Sequence, residues 1–292
     1  MGPLCRRLGV MENGHGAGHG SGRVRLKLLG GYEASVDGHP IWFRTRKAFA
    51  LFTYLALDPR PHRREAISEL FWPDGDGADA RANLRTALTY ARGAIGDRAE
   101  AILAANRDTV GVAAGSVDVD VDVLRAARRL IRQPRDLALR QQLERAVTHY
   151  RGPFLAELVF PDAPELEEWI EAQRTYWRNV ATELLCLLAT LQDAAGELGS
   201  SLETLERWTE VNRDEEPAWQ RLIETHLNRN DHLAARHAWD RYLAAIRELE
   251  VAPSEPMTRL YEQVIGQAAS RRQVGPSVSR WVHPVVPAFA GV

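Results

Sequence analysis

The spacing of apolar residues near the N-terminus is regular and predicts small β-structures. Val24, Leu26 and Leu28 alternate with charged residues, and this period of two is typical of a half-buried β-strand. An Asp37-Gly38 pair follows and precedes a second short apolar stretch, which is a common signal for a hairpin turn. The chain is therefore predicted to begin its first domain with short antiparallel strands.

Amphipathic helices are predicted next, because the apolar period lengthens from Thr45 onward. The first helix ends at Asp58-Pro59, the second covers about Arg63–Trp72, and the third covers about Asp79–Ile95. Proline and glycine residues separate the three, as expected for helix ends. The apolar stripe of the third helix consists of Leu84, Leu88, Ala91 and Ile95.

A second hairpin is predicted after the third helix, with strands at about residues 101–104 and 110–112. Strands, three helices and a closing hairpin in this order are typical of a winged helix-turn-helix. In that arrangement the third helix enters the major groove of DNA and the hairpin is the wing, which rests on neighbouring phosphates.

Residues 117–123 alternate strictly between Val and Asp, which predicts a strand with three carboxylates on one face. Three carboxylates could hold a metal ion, but the Gly and the distal Glu of a calcium-binding loop are missing. We therefore favour a solvated strand that leads to a helix with its N-cap at Asp122. The other two carboxylates belong to Asp118 and Asp120.

Beyond this segment the apolar period is helical almost throughout. Ser201–Trp208 resembles His232–Trp239 at an offset of 31 residues, close to the tetratricopeptide period of about 34 residues. Trp208 and Trp239 are predicted to be core residues. Stacked helical pairs of this kind share one core and leave a surface for a partner.

Together these patterns predict a mainly α fold in which a winged helix-turn-helix with small β-hairpins is followed by an all-α, tetratricopeptide-like repeat domain. The predicted segments are a flexible leader at 1–22, the DNA-binding domain at 23–117, the helical domain at 118–270, and a linker or disordered tail at 271–292.

Charge is divided unequally between the two predicted domains. Residues 23–117 contain 14 basic and 11 acidic residues, a net charge of +3, whereas residues 118–270 contain 18 and 27, a net charge of −9. Only the first domain is therefore suited to a polyanion. Neither a signal peptide nor a membrane-spanning run is recognisable, and the only cysteines are Cys5 and Cys186. We therefore expect a cytoplasmic protein without membrane contact.

Enzymes are the main class that the sequence argues against. It contains no phosphate-binding GxxxxGK[ST] or GxGxxG loop, no HExxH, no paired CxxC and no GxSxG. His226, His232 and His237 are spaced by six and five residues, which does not place them on one helix face as ligands. Accordingly, no catalytic residue, metal or cofactor is predicted.

Four longer motifs resemble a known family, the Streptomyces antibiotic regulatory proteins, which combine a winged helix with a bacterial transcriptional activator domain. The motifs are Glu69-Leu70-Phe71-Trp72-Pro73, Ala80-Arg81-Ala82-Asn83-Leu84-Arg85, Tyr150-Arg151-Gly152-Pro153-Phe154-Leu155 and Glu248-Leu249-Glu250-Val251-Ala252-Pro253-Ser254. The resemblance covers about residues 24–266. One departure is that relatives tend to be more basic late in the third helix, where Tyr90 and Gly93 stand here.

The resemblance implies a sequence-specific regulator of transcription that binds double-stranded promoter DNA, usually at direct repeats, and recruits RNA polymerase as an activator. It implies association with the nucleoid, and a homodimer on DNA is one arrangement that direct repeats allow. The loop Pro73–Ala78 carries several aspartates, which suit a basic surface of polymerase, although a solvated turn explains them equally well.

DNA-facing side chains are predicted on the polar side of the third helix, where Arg and Asn can read bases and Thr can contact a phosphate or a thymine methyl. These residues are Arg81, Asn83, Arg85, Thr86, Thr89 and Arg92. Phosphate contacts are predicted for Arg107 in the wing and for Arg44, Arg46 and Lys47 before the first helix. Alternatively, any of these cations could be a solvated charge, and Asn83 could brace the helix.

The alternative to a DNA-binding regulator is a helical-repeat adaptor or signalling protein whose winged helix contacts protein. The two functions differ in one measurable respect, since only DNA binding through phosphates is strongly weakened by salt.

Overall fold

The computed structural model describes residues 23–132 and 135–273, and these form two compact units. The winged-helix unit contains the described residues up to Val123 together with Arg151–Arg174. The helical unit contains Leu124–Tyr150 and the described residues from Thr175 onward. The predicted leader at 1–22 and nearly all of the predicted tail lie outside the described residues.

A four-stranded sheet opens the winged-helix unit. Its strands, in the spatial order β3-β2-β1-β7, are β1 (Val24–Lys27), β2 (Glu33–Val36), β3 (His39–Ile41) and β7 (Val117–Val119). The first three are antiparallel neighbours, and β7 pairs in parallel with β1. Asp37 and Gly38 connect β2 to β3 with φ angles of 53° and 83°. Two successive positive φ values favour Asp-Gly, so the predicted hairpin turn is explained by its sequence.

Three helices follow in the predicted order, α1 (Arg46–Leu57), α2 (Arg64–Phe71) and α3 (Gly77–Ile95). Thr45 caps α1, because its hydroxyl accepts a hydrogen bond from the backbone N–H of Ala48. Gly96, with φ 72°, ends α3. Phe52 of α1 and Phe71 of α2 are fully buried and form part of the core beneath these helices.

The wing is the second small sheet. After a helical turn, α4 (Ala99–Ile102), come β5 (Leu103–Ala105) and β6 (Thr109–Val112), and β6 also pairs with β4 (His62–Arg63). The expected first strand at 101–104 therefore begins two residues late, because Ala101 and Ile102 complete the helical turn. Within the wing turn, the Asn106 carboxamide accepts bonds from the backbone N–H groups of Asp108 and Thr109.

Asp120 corrects the prediction of a solvated strand up to Asp122. The strand β7 ends at Val119, and α5 (Asp120–Leu130) already begins at Asp120. The Asp120 carboxylate is buried and accepts hydrogen bonds from the backbone N–H groups of Leu28 and Leu29, at 2.9 and 3.1 Å. Burial raises the pKa of this carboxyl. The alternating pattern was misleading because one of its three aspartates satisfies buried backbone groups and does not face water.

A distant segment, Arg151–Arg174, belongs to the winged-helix unit. The backbone N–H of Leu155 donates to the carbonyl of Leu28 at 2.8 Å, and that of Gly30 donates to the carbonyl of Pro153 at 3.0 Å. At Gly30, where φ is +89°, a Cβ would lie 2.7 Å from the carbonyl carbon of Arg151. Only glycine allows the two backbones to approach this closely.

The helical unit is built from successive helices. After α5 these are α6 (Leu137–His149), α7 (Pro164–Ala194), α8 (Leu198–Val211), α9 (Glu216–Asn228), α10 (His232–Glu248) and α11 (Glu255–Gln273), and the boundary between the units falls within α5 and α7. From α8 to α11 each helix packs on the next, and Trp208 and Trp239 are buried. These features confirm the predicted mainly α fold with tetratricopeptide-like helical pairs. Within residues 23–132 and 135–273, no helix is long and apolar enough to cross a membrane.

Candidate nucleic-acid interface

The helix α3 has one apolar face and one polar face. Its predicted apolar stripe, from Leu84 to Ile95, is at most 4% exposed and packs into the core. The opposite face is exposed to solvent and carries all of the predicted base-reading residues except Arg92, which is half-buried. The exposed residues are Arg81, Asn83, Arg85, Thr86 and Thr89. The sequence periodicity therefore predicted correctly which side of α3 is buried, and the remaining question is whether the polar side can bind DNA.

The start of α3 is fixed by Asp76, which ends the acidic loop. Its carboxylate accepts hydrogen bonds from the backbone N–H groups of Ala78 and Asp79, at 2.8 and 2.9 Å. These two bonds hold the pKa of Asp76 below its ordinary value. Arg81 lies over the same turn, with Nη1 3.2 Å from the position that a Cβ on Gly77 would occupy. Its guanidinium is therefore close to the Asp76 charge, which offsets part of its own.

Three guanidinium groups are close together where α2 and α3 approach the wing. They belong to Arg64, Arg85 and Arg92, and the pKa of Arg64 is lowered first by burial and then by repulsion from the other two. Within the described part of the chain, no ion pair joins any of the three to a carboxylate. Like charges without a counter-charge are unfavourable, so this cluster is an evident position for an external anion.

Arg64 also connects α2 to the wing. Its Nη1 donates to the carbonyl of Asn106 at 3.1 Å, and its backbone N–H donates to the carbonyl of Asp108 at 2.9 Å. Arg107, between these two acceptors, is exposed at the tip of the turn. Sequence reasoning missed Arg64, although an Arg-Arg pair directly before an amphipathic helix was a usable signal.

The two threonines of the polar face have their hydroxyl protons engaged. Thr86 donates to the carbonyl of Ala82 at 3.1 Å, and Thr89 donates to the carbonyl of Arg85 at 2.9 Å. Each hydroxyl oxygen can still accept a bond, and each side chain retains a methyl group for apolar contact. These threonines are therefore suited to base donors and thymine methyls and poorly suited to phosphate oxygens, which need a donor.

The cations that precede α1 have unequal surroundings. Arg44 lies over the ring of Tyr90 on α3, 5.0 Å from its centre, and Arg46 is exposed. Lys47, in contrast, has only 16% of its side chain exposed. Its ammonium group donates to the carbonyl of Phe71 and pairs with Asp162, both at 2.7 Å. The structure thus places Arg44 beside α3, whereas Lys47 is bonded within the winged-helix unit.

Asn83 opens onto a groove of about 390 Å³ beside α3. The groove is lined by Thr45, Arg46, Lys47, Trp72, Asn83, Thr86, Ala87, Tyr90, Val159 and Phe160. The N-terminal turn of α1 and the polar face of α3 therefore border one concave surface, which also includes part of the segment that follows Arg151.

The three histidines considered as ligands in the helical unit are not brought together as a metal site. His226 is buried, His232 is half-buried and His237 is exposed. Within residues 23–132 and 135–273, no group of three or more His, Cys, Asp or Glu side chains could hold a metal ion.

Comparison with known families identifies the class of protein. The family model described as the bacterial transcriptional activator domain matches residues 117–265, just over half of the chain. The chain belongs to this family. Its winged helix and its activator domain together confirm the predicted resemblance to the Streptomyces antibiotic regulatory proteins, and the family is one of transcriptional regulators and is not a class of enzymes.

A solved structure with a similar fold is that of Mycobacterium tuberculosis EmbR in complex with a low-affinity phosphopeptide. The TM-score is 0.62 at 22% sequence identity, and the match covers 84% of this chain and 66% of that chain. This likeness shows a shared fold for the winged helix and the helical repeats. The comparison with curated proteins gave no match.

Proposed function

We propose that this transcriptional regulator binds promoter DNA through the polar face of α3 and through the wing. The observation that carries the proposal is the cation-bearing side of α3, where the exposed Arg85 and the half-buried Arg92 have no described carboxylate partner and lie beside Arg64. A helix of this kind fits the major groove, and the adjacent wing turn with Arg107 can reach the phosphates.

The residues divide by the type of contact they can make. Arg85 and Arg92 supply planar donors for guanine, Asn83 can pair with adenine, and the threonine methyls suit thymine. Contacts from Arg64, Arg107, Arg44 and Arg46 to phosphates add affinity without reading sequence. In this proposal Lys47 holds α1 against the end of α2 and Asp162, and contributes to DNA binding only through the position of Arg46.

In the same proposal, the acidic loop before α3 contacts RNA polymerase. Asp74 is exposed there, whereas Asp76 is engaged as the helix cap. A basic surface on polymerase would be complementary to Asp74 and Asp79, which makes the regulator an activator. Binding to directly repeated sites would place two copies side by side on DNA and associate the protein with the nucleoid.

The test is binding-site selection from a random duplex DNA library with the full chain, followed by anisotropy measurements on the selected duplex at several salt concentrations. We expect affinity to fall steeply with salt, and Arg85→Ala to weaken binding roughly 5- to 150-fold, because a bidentate base contact contributes about 1–3 kcal/mol. The matched control is Arg98→Ala, since Arg98 lies in the same unit but pairs with Asp37 at 2.7 Å.

If no duplex is enriched, or if binding is indifferent to both salt and Arg85→Ala, the proposal is wrong. That outcome would favour the adaptor function, in which the winged helix contacts protein.

A further inference from the structure

An open cavity of about 560 Å³ lies at the surface of the helical unit, between α7 and the α8–α9 turn. The lining residues that matter here are Thr182, Cys186, Leu187, Thr190, Trp208 and Asn212. A volume of this size falls within the range of about 300–1,000 Å³ found for small-molecule sites.

One wall of the cavity follows a single stripe of α7. Thr182, Cys186 and Thr190 are spaced four residues apart, which places them on one helix face. Leu187 and the indole of Trp208 add apolar surface. Nη1 of Arg221 donates to the Thr190 hydroxyl at 3.2 Å and to the Cys186 sulfur at 3.9 Å, so these two groups are engaged within the protein. The wall therefore offers mainly apolar area with few free polar groups, which is suited to an amphipathic molecule and poorly suited to a fully polar one.

Thr182 differs from the other threonine of this stripe in its hydrogen bonding. Thr190 donates to the carbonyl of Cys186 at 2.8 Å, four residues before it. Thr182 is 92% buried, since its exposed fraction is 8%, and its Oγ1 has no hydrogen-bond partner. Buried hydroxyl groups are normally paired. The unpaired Oγ1 has less than 1 Å² of accessible surface, and a rotation about χ1 that turns it toward a molecule in the cavity would give it a partner.

Asn212, across the cavity, has a second unpaired oxygen. Its Nδ2 donates to Oε2 of Glu215 at 2.8 Å. A carboxylate can only accept, so the amide nitrogen must face Glu215, and Oδ1 must point away from it. This Oδ1 is buried and has no partner, and it therefore requires a donor.

The carboxylates of the lining are already neutralised within the protein. Oε2 of Glu215 also accepts from Nε1 of Trp208 at 3.1 Å, and Glu183 pairs with Arg128 at 2.7 Å. A cationic ligand would have to compete with these contacts. Arg135 of the lining is exposed to solvent, so water solvates its charge. Among the buried groups the unmet requirements are one donor to an amide oxygen and one partner for a hydroxyl, both of which a neutral hydroxyl group can supply.

We propose that this cavity is a binding site for a small neutral molecule with a flat apolar body and a hydroxyl group. The flat body packs against Trp208 and Leu187, and the hydroxyl bonds to Thr182 or Asn212. The site lies wholly within the helical unit. A failure of the proposed DNA contacts would therefore not affect this proposal, and the reverse also holds.

The experiment uses the full chain and two probes, 2-naphthol and naphthalene, which share an apolar body and differ by one hydroxyl. Saturable 1:1 binding is expected by calorimetry, with 2-naphthol about 3- to 10-fold tighter than naphthalene, the ratio that one net hydrogen bond gives. The isosteric variant Thr182→Val should narrow that ratio and leave naphthalene binding unchanged. Cys186→Phe should obstruct the cavity along α7 and strongly weaken binding of both probes, whereas Ala194→Phe, on an exposed position of α7, should not.

A labelling measurement covers the case in which Cys186→Phe does not fold. In a Cys5→Ser background Cys186 is the only thiol, and saturating 2-naphthol should slow its reaction with a maleimide several-fold. Absence of saturable binding to the wild-type chain, undiminished binding to folded Cys186→Phe, or maleimide labelling that the probe does not slow would each overturn the proposal.

Discussion

Arginines in the two units serve different purposes. In the helical unit Arg207 donates to the carbonyls of Val147 and Tyr150 at 2.6 and 2.8 Å, and Arg140 pairs with both Glu144 and Glu197. On α3, Arg85 and Arg92 have no such partner among the described residues. The difference teaches that the number of arginines is uninformative here, and that neighbouring arginines without an internal carboxylate partner are the feature that favours an external anion.

The largest effect on stability is expected for an arginine that is hydrogen-bonded within the protein. Arg207→Ala should lower the free energy of unfolding by about 2–3 kcal/mol, because hydrogen bonds from a charged group are lost and two carbonyls lose their donor. Urea unfolding followed by circular dichroism measures it. Arg213→Ala, an exposed position nearby, should change stability by less than about 0.5 kcal/mol. Equal effects of the two variants would show that Arg207 is not a structural residue.

Asp120 is a carboxylate with the same kind of internal role, because it accepts hydrogen bonds from buried backbone groups. Asp120→Ala should cost about 1–3 kcal/mol, because the buried amides of Leu28 and Leu29 lose their acceptor. Burial raises the pKa of Asp120 above its ordinary value of 3.8. A raised pKa in the folded state means that stability is greatest when the group is protonated and falls as the pH rises through that pKa.

The variant Asp120→Asn is the control for this pH dependence of stability. Asp120→Asn cannot ionise, and should remove the part of the stability decline that begins near pH 4 and ends above the raised pKa. Unfolding measured in urea at several pH values compares the variant with the wild-type chain. An unchanged pH profile in Asp120→Asn would contradict the prediction.

Arg64 combines both roles. It donates a hydrogen bond to the wing, and it also lies beside the cations Arg85 and Arg92. Arg64→Ala should weaken DNA binding about 5- to 10-fold, within the range of about 1–3 kcal/mol for such contacts, and should lower the salt dependence by about one phosphate contact. Anisotropy with the selected duplex measures both. Arg63→Ala is the control, because Arg63 is exposed and already pairs with Glu65, and it should change affinity by less than roughly twofold.

The smallest effect is expected at the ion pair of Lys47. Asp162→Asn should lower stability by less than about 1 kcal/mol, because Asp162 is largely exposed and exposed pairs contribute little. DNA affinity should stay unchanged, since Lys47 keeps its bond to the carbonyl of Phe71. A clear rise in affinity would show that the pair withholds a phosphate contact, and Lys47 would then join the interface as the sequence predicted.

Local signals made much of the winged helix predictable. Thr45 is of a residue type that is favoured at helix N-caps, and Gly96 takes the positive φ that ends α3. The Asp37-Gly38 turn is equally local. On α3 the apolar stripe determined which residues are exposed, so five of the six predicted base-reading residues lie on the solvent face.

The features that could not be predicted from the sequence depend on contacts between residues far apart in the chain. Nothing near Asp120 shows that two backbone amides more than 90 residues earlier need an acceptor. Lys47 has the same sequence surroundings as Arg46, yet Asp162 lies 115 residues away and changes its role. The cavity in the helical unit is likewise formed by side chains from three separate stretches, so no single motif predicts it.

The close approach of Gly30 to the backbone at Arg151 bears on how the winged-helix unit could be isolated. Cutting the chain after its seventh strand would remove Phe154, which is fully buried, and Trp169, whose ring lies 4.9 Å from that of Tyr54. Such a fragment would expose apolar surface and aggregate. An isolated winged-helix unit that stays in solution needs the stretch through Arg174, either added as a separate peptide or joined through a short spacer in place of 124–150.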